Sequence, residues 1–331
     1  MSKLAVGVIG VGHLGSLHAK MFAGIESVDF VGIYDVDSER MRSIAGELKT
    51  RTYSSAEELL QTIQAVSIVT PTNTHYEIAR KAIERGVHVF IEKPLTGTTE
   101  EAEALVRLAK QKNLKIQVGH IERFNPAILA LDKYNLQPMF VESHRLAQFN
   151  PRGTDVAVVL DLMIHDIDII MSLVHSPVEQ IDANGVAVVS ESIDIANARI
   201  RFENGCVANV TASRISQKKM RKMRMFQRDA YISVDFLEGS AEVFRLVDED
   251  DLSAKSTMML GAIEAGTRKR NIVYEQPEVR EVNALKIELE SFVDAVRGSR
   301  EPLVTGEDGM RALRVAHDII EIIKRGKIVI S

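Results

Sequence analysis

The chain has 331 residues, 45% of them hydrophobic and 26% charged, ordinary values for a globular protein with length enough for two buried cores. Forty-one Lys and Arg against 46 Asp and Glu leave a net charge of −5, which favours neither nucleic acid nor an anionic membrane as a partner. One cysteine, Cys206, excludes an internal disulfide and a thiolate metal cluster, and 5% aromatics without tryptophan argue against stacking on single-stranded nucleic acid.

Only Lys3 precedes the first apolar run, which glycines interrupt at once, so it does not read as a signal peptide. No stretch approaches the ~20 apolar residues of a membrane span. A cytoplasmic location is the expectation. Apolar runs at 4–9, 28–34, 65–70, 87–91 and 115–118 suit strands buried on both faces. Between them, 16–23, 38–48, 56–62, 74–85 and 99–112 have helical patterns, with Gly86 as a stop. This alternation predicts an α/β fold with an N-terminal Rossmann domain, a doubly wound parallel sheet over residues 1–121.

The first strand runs directly into Gly10-Val11-Gly12-His13-Leu14-Gly15. Gly10 permits a tight turn, Gly12 lets a pyrophosphate approach the backbone, and Gly15 allows close helix–strand packing. The helix N-terminus adds free N–H groups and the positive end of its dipole. Asp35 closes the second strand about twenty residues on, placed to accept hydrogen bonds from an adenosine ribose. Its charge favours NAD over NADP, although Arg40 lies nearby in sequence.

Two further strand ends point to the same crevice. Thr70-Pro71-Thr72-Asn73-Thr74-His75 reads as a turn with a helix N-cap beside the cofactor. At Glu92-Lys93-Pro94, the proline keeps Lys93 out of the helical region, so that its ammonium can project beyond the sheet. A catalytic lysine is the functional reading, a solvated surface charge the alternative.

After residue 139 the pattern changes to alternating strands at 139–148, 178–189, 197–202, 207–213, 220–227, 231–236 and 241–246. Asn204-Gly205 reads as a hairpin turn. Helices at 284–296 and 306–324 complete a C-terminal α+β domain with an open, mostly antiparallel sheet, spanning 122–331. The basic run 218–228 interleaves Met220, Met223, Met225 and Phe226 with its charges. It reads as a solvated edge strand or subunit interface, with a nucleic-acid patch as the alternative. The acidic residues from Asp248 and the stretch to Arg270 read as a mobile loop or an excursion towards a second subunit.

Residues 156–174 are almost wholly apolar, so this helix should be buried. Its polar exceptions are Asp161, His165, Asp166 and Asp168, and the spacing of 161, 165 and 168 places those three on one helical face. One reading is an internally satisfied Asp–His pair. The functional reading is a general base, His165, with carboxylates that hold its ring. A metal site is the weaker alternative, because no further His or Cys shows ligand spacing.

Taken together, the glycine motif, Asp35, Thr70-Pro71-Thr72-Asn73-x-His75, Glu92-Lys93-Pro94 and Asp161-x-x-x-His165 resemble the Gfo/Idh/MocA family of nicotinamide-dependent sugar and cyclitol dehydrogenases over essentially the whole chain. The resemblance implies an active site of Lys93, Asp161 and His165. It implies cofactor contacts from Gly10, Gly12, His13, Leu14, Gly15, Asp35, Thr70, Pro71, Asn73, His75, Glu92 and Lys93. Segments 119–126 and 149–155 also resemble the branch that oxidises the 3-hydroxyl of UDP-N-acetylglucosamine, whose 3-keto product an aminotransferase converts to a 3-amino sugar for lipid A. Arg123, Asn125 and Arg152 are then the expected contacts to the rest of a nucleotide sugar, with salt bridges as their alternative role. A homodimer or homotetramer through the second-domain sheet is implied in the same way. The competing functions are dehydrogenation of another sugar, inositol or sugar acid, and non-catalytic NAD-binding regulation.

Overall fold

A computed structural model describes residues 2–150, 156–248, 258–265, 268–298 and 300–326. Contacts divide the chain into two units: Met1–Phe124 with Asn283–Arg314, and Asn125–Val282 with Val315–Ser331.

The first unit is built on six parallel strands: β1 (Leu4–Ile9), β2 (Val28–Tyr34), β3 (Arg51–Thr52), β4 (Ala65–Ile68), β5 (His88–Glu92) and β6 (Ile116–Gly119). Helices α1 (His13–Gly24), α2 (Ser38–Leu48), α3 (Ala56–Leu60), α4 (His75–Glu84) and α5 (Thr99–Gln111) alternate with them. Parallel neighbours cannot be joined by tight turns, so each crossover carries a helix or loop back across the sheet. The spatial order is β3-β2-β1-β4-β5-β6. The chain therefore winds outward from β1 in one direction and then restarts on its other side at β4. Such a reversal opens a crevice at the carboxyl ends of the strands, between the loops that diverge there. The parallel sheet expected from the sequence is the one observed.

The helix expected at 284–296 is present as α8 (Ala284–Gly298), but it belongs to the first unit rather than the second. Its spacing at 285, 289, 292 and 293 puts four apolar side chains on one face. Leu285, Leu289, Phe292 and Val293 join Val6, Val8, Phe22, Ile33 and Phe90 in one buried cluster. Phe292 meets Phe90 edge-on, with ring centroids 5.8 Å apart. Gln117 Nε2 donates to the Glu288 carbonyl at 2.8 Å, and the Val118 N–H to the Val304 carbonyl at 3.1 Å, which ties the returning segment to β6. A single cut after residue 121 misses this return, because periodicity shows that a helix has a buried face but not which sheet it covers.

The second unit contains β7 (Phe140–Leu146), β8 (Val178–Val186), β9 (Ile195–Phe202), β10 (Val207–Ser213), β11 (Met220–Phe226), β12 (Ala230–Asp235), β13 (Ser240–Asp248), β14 (Met258–Ala265) and β15 (Arg268–Glu275). They form one sheet ordered β14-β15-β13-β12-β11-β7-β10-β9-β8, antiparallel except where β7 runs parallel to β10. Gly205, at φ +85°, makes the β9–β10 hairpin as its Asn-Gly sequence predicts. The short helix α6 (Pro126–Leu129) opens the unit, and α7 (Ile164–Val174) packs against β7 and β10. A final helix, α9 (Gly306–Arg325), crosses the division between the units.

Two expectations change here. The basic run is no edge: β11 lies between β7 and β12, with Met223 and Met225 buried on the inner face. Its outward charges are matched across the strands, Lys222 with Asp235 at 3.1 Å and Arg224 with Glu142 at 3.8 Å. The stretch before Arg270 is not all loop, since β14 and β15 extend the sheet there; residues 249–257 and 266–267 lie outside the described residues. Among the described residues, no helix is long and apolar enough to cross a membrane.

Leu289, at 0% exposure, is the centre of the α8 contribution to the first core. Leu289→Ala is expected to cost about 2–5 kcal/mol by urea denaturation, as buried leucine truncations do.

Candidate active site

At the end of β1, Gly10 has φ +87°, and its N–H donates to the Tyr34 carbonyl at 2.8 Å. A Cβ on Gly10 would stand 2.4 Å from the Val69 carbonyl oxygen, and one on Gly15 only 1.9 Å from the Gly10 carbonyl oxygen. Both glycines are thus fixed by backbone packing. Gly12 differs: the nearest atom to a Cβ there would be Arg40 Nη1, at 3.9 Å, so the space before it is open. Gly12 is the N-cap of α1, which begins at His13 rather than at 16 and has no side-chain cap. The first N–H groups of an uncapped helix need partners, and its positive dipole end favours an anion. An open glycine, free amides and a dipole form a cradle that fits a diphosphate.

Asp35 is buried beside this turn. Its Oδ2 accepts from the Val11 N–H at 2.7 Å and its Oδ1 from the Asp37 N–H at 2.8 Å. Each oxygen keeps a further acceptor site for a ribose hydroxyl. Arg40 sits over the same edge, 3.8 Å from Asp35 and 3.0 Å from Asp37, so two carboxylates already balance its charge.

After β4 the chain makes a single 3-10 turn, Thr72–Thr74, before α4. The expected side-chain N-cap is absent; the Thr74 hydroxyl instead lies 2.7 Å from both the Thr70 hydroxyl and the Pro71 carbonyl. Pro71 and Asn73 are exposed at the strand end. His75 turns inward. At 1% exposure, its Nδ1 lies 3.0 Å from the Pro94 carbonyl and its Nε2 2.8 Å from the Thr70 carbonyl. Both nitrogens face backbone oxygens of the two loops, and a neutral ring, with one N–H, donates to one of these carbonyls. Burial holds its imidazole below the usual value, outweighing those two carbonyls, which act in the opposite direction.

Lys93 follows β5 directly and is half-buried; the Lys93–Pro94 bond is cis. Its N–H donates to Glu92 Oε2 at 3.2 Å. Of the residues expected at a sugar nucleotide, Arg123 lies close to Asp308, whose carboxyl burial pushes up. Hydrogen bonds from Thr305, with the Arg123 and Arg311 charges, outweigh that burial and hold it low. Asn125 is occupied with structure: its Oδ1 caps α6 by accepting from the Ala127 N–H at 3.0 Å, and its Nδ2 donates to the Phe236 carbonyl at 3.2 Å. Arg152 lies outside the described residues.

In the second unit, the polar helix starts as a π-turn, Val159–Met163, and continues as α7. Asp161 lies in the π-turn and His165 at the start of α7, both half-buried, whereas Asp168 is buried. His165 and Asp168 keep the i, i+3 spacing within α7, whereas the step from Asp161 to His165 runs out of the π-turn. Insertions of this kind re-aim side chains and recur at functional sites. Asp166 has a structural partner that the sequence did not reveal: Arg145 on β7 donates to it from Nε at 2.7 Å and Nη2 at 3.1 Å. Asp194, also missed, is buried and accepts from the N–H groups of Val188, Val189 and Ser190 at 2.7–3.0 Å and from the Ser190 hydroxyl at 2.6 Å. Burial pushes this carboxyl up, yet those donors outweigh it and hold it far below the usual range. Arg214, beside Asp194, donates to the Val156 carbonyl, and the Val158 N–H donates to the Ile193 carbonyl at 2.9 Å, so this cluster anchors the start of the helix. Cys206 is buried, its thiol pushed up to about 11 by burial, and has no reactive thiolate at neutral pH.

Comparison with known proteins gives a family match over each unit. Residues 4–120 match the Gfo/Idh/MocA model described as an oxidoreductase family with an NAD-binding Rossmann fold, and residues 135–241 match the GFO/IDH/MocA C-terminal domain. The UDP-N-acetylglucosamine 3-dehydrogenase of Acidithiobacillus ferrooxidans is 38% identical over 317 residues, 96% of each chain. A solved structure of that enzyme superposes with a TM-score of 0.87 at 37% identity, covering 98% of this chain and 99% of the other. The scyllo-inositol 2-dehydrogenase (NAD(+)) of Bacillus subtilis is 28% identical over 329 residues, 93% of this chain and 90% of that protein.

The glycine geometry separates folding from binding. Gly15→Ala is expected to destabilise the protein by about 3 kcal/mol or more through its clash with backbone. Gly12→Ala should cost no more than about 1 kcal/mol, as an N-cap change. It should nonetheless weaken binding of the reduced nicotinamide cofactor roughly tenfold; thermal denaturation and fluorescence titration measure the two effects. His75 generates a pH dependence. Its folded value lies below 6.5, so between the two values the unfolded chain binds more protons. Stability is expected to fall as pH drops below about 6.5, and His75→Gln should flatten that part of a pH–stability curve.

Proposed function

The chain belongs to the Gfo/Idh/MocA oxidoreductase family, acting on CH–OH groups with a nicotinamide cofactor, and from that membership we propose that it oxidises the 3-hydroxyl of UDP-N-acetylglucosamine to the 3-keto nucleotide sugar. The observation that carries the substrate is the 38% identity to the Acidithiobacillus enzyme across 96% of both chains. NAD is the proposed cofactor. Asp35 would meet a 2′-phosphate with a carboxylate, and Arg40 is held between Asp35 and Asp37 instead of being available to it.

When bound, a nicotinamide supplies the hydride acceptor for the substrate carbon. The protein must then take the hydroxyl proton and stabilise charge growing on that oxygen. His165 is assigned the proton, because a neutral imidazole is a base at physiological pH. Lys93 is assigned the hydrogen bond to the same oxygen, favouring its alkoxide character. Asp161, four residues before His165, orients the imidazole or a neighbouring hydroxyl. The diphosphate of the cofactor falls to the amides after Gly12, its adenosine ribose to Asp35. Arg123 and Arg152 remain assigned to the nucleotide sugar.

The 3-keto product is the chemical class that an aminotransferase consumes, and the proposed location is the cytoplasm. Association of copies is supported by the outward face of the large sheet, where Phe140, Phe226, Tyr231, Phe244 and Tyr274 form a row with successive centroids 4.9–6.0 Å apart. A second reading, oxidation of inositol or a free sugar, is favoured by the 28% identity to the Bacillus inositol enzyme.

The test is purified protein with NAD or NADP and a panel of UDP-N-acetylglucosamine, inositols and free sugars. NADH formation with the UDP-sugar is expected, and reduction only with inositol would transfer the assignment to the second reading. Lys93→Ala and His165→Ala should each lower kcat by about 10²–10⁴-fold. Wild-type turnover in either variant would remove that residue from the mechanism.

A further inference from the structure

One buried histidine sits beneath both halves of the cofactor crevice. His18, one turn into α1 beyond Gly15, is 0% exposed. Its Nδ1 lies 3.0 Å from the Ser67 hydroxyl on β4, its Nε2 lies 3.1 Å from Glu92 Oε1 at the end of β5, and its ring meets Phe90 edge-on at 5.4 Å. One ring nitrogen thus faces the serine hydroxyl and the other faces the carboxylate.

Both oxygens of Glu92 have close neighbours. A Cβ on Gly119 of β6 would come 2.7 Å from its Oε1, so the bare glycine makes room for the carboxylate. The other oxygen, Oε2, accepts from the Lys93 N–H at 3.2 Å. A continuous polar line therefore runs Ser67–His18–Glu92–Lys93 through an otherwise apolar layer. Its His18–Glu92 step is a 3.1 Å contact at ion-pair distance, outside hydrogen-bond geometry, and its other steps are hydrogen bonds. Buried polar groups are costly unless they face a partner, which gives each member of the line a reason to keep its place.

We propose that His18 is a positioning residue for Lys93, acting through the Glu92 carboxylate and joining the phosphate-binding end of α1 to the lysine after β5. This rests on the role given to Lys93 above. Without the ring nitrogen, the carboxylate loses the partner that orients it and rotates or takes a proton. Lys93 then loses both a fixed backbone amide and a nearby negative charge.

The test uses the full chain as wild type, His18→Phe, Ser67→Ala, Glu92→Gln and Lys93→Arg. Lysines are converted to ¹³C-dimethyl forms, the Lys93 signal is identified by its loss in Lys93→Arg, and its titration is followed by NMR. His18→Phe is expected to lower the Lys93 midpoint by roughly half a unit or more, in the same direction as Glu92→Gln. NADH affinity should stay within about threefold of wild type, while kcat falls about tenfold with little change in the KM for NAD. An unmoved Lys93 midpoint in His18→Phe overturns the proposal, and a loss of NADH affinity with that midpoint unmoved assigns His18 to α1 alone. Should His18→Phe not fold, Ser67→Ala, which removes one hydroxyl and frees the ring, gives the same decision on the same signal. If the wild type oxidises no member of the panel, the proposed reaction fails while the titration still decides the role of His18.

Discussion

Helix α1 starts so close to the end of β1 that a methyl group at Gly15 would stand 1.9 Å from the Gly10 carbonyl oxygen. That approach is the constraint from which the rest of the crevice follows. It brings the uncapped amides of α1 to the carboxyl edge of the sheet, and it sets Val11 where its N–H reaches Asp35. It also carries His18 down between β4 and β5. A helix displaced by the width of one methyl group would move the uncapped amides, the Val11 contact to Asp35 and the His18 approach to Glu92 together.

The two units handle buried charge differently. In the first, polar side chains mostly secure backbone: Asp35 holds two amides, Glu92 holds one, and His75 sits between two carbonyls. These contacts stiffen strand-end loops that have no regular structure of their own. In the second, buried charges tie elements to one another. Arg145 joins β7 to α7 through Asp166, while Asp194 gathers the 188–190 amides next to Arg214, which grips the chain entering the π-turn. A buried ion pair adds little net stability against an apolar replacement, but breaking one side of it is costly. Such pairs fix the placement of the helix carrying Asp161 and His165 more than they strengthen the fold.

Much of this was legible in the sequence. The glycine turn, Asp35 and the lysine before proline follow strands whose apolar runs are unambiguous, so local pattern and parallel topology agree on where they lie. What the sequence leaves out shares one cause, which is that sequence spacing is blind to tertiary partners. His75 has the composition of a ligand-binding turn, yet its nitrogens face carbonyls nineteen and five residues away along the chain. Asn125 caps its own helix. The charges of β11 suggested an edge because their partners, Asp235 and Glu142, stand on other strands. The π-turn that carries Asp161 was not legible, because such a turn has no sequence signature comparable to a glycine motif. His18 falls within the run 16–23, whose pattern is helical, and nothing local distinguishes a histidine facing a carboxylate from one facing water.

The return of α8 to the first unit has a kinetic meaning. Leu285, Leu289, Phe292 and Val293 complete a core whose other members, including Val6, Phe22 and Phe90, lie before residue 91. The whole of 125–282 is synthesised in between. On the ribosome, the dinucleotide unit must therefore wait with part of its apolar surface uncovered until nearly nine-tenths of the chain has emerged. Contacts so distant in sequence are slow to close and leave exposed surface open to association. The nascent protein begins making its cofactor-binding half first and finishes it last.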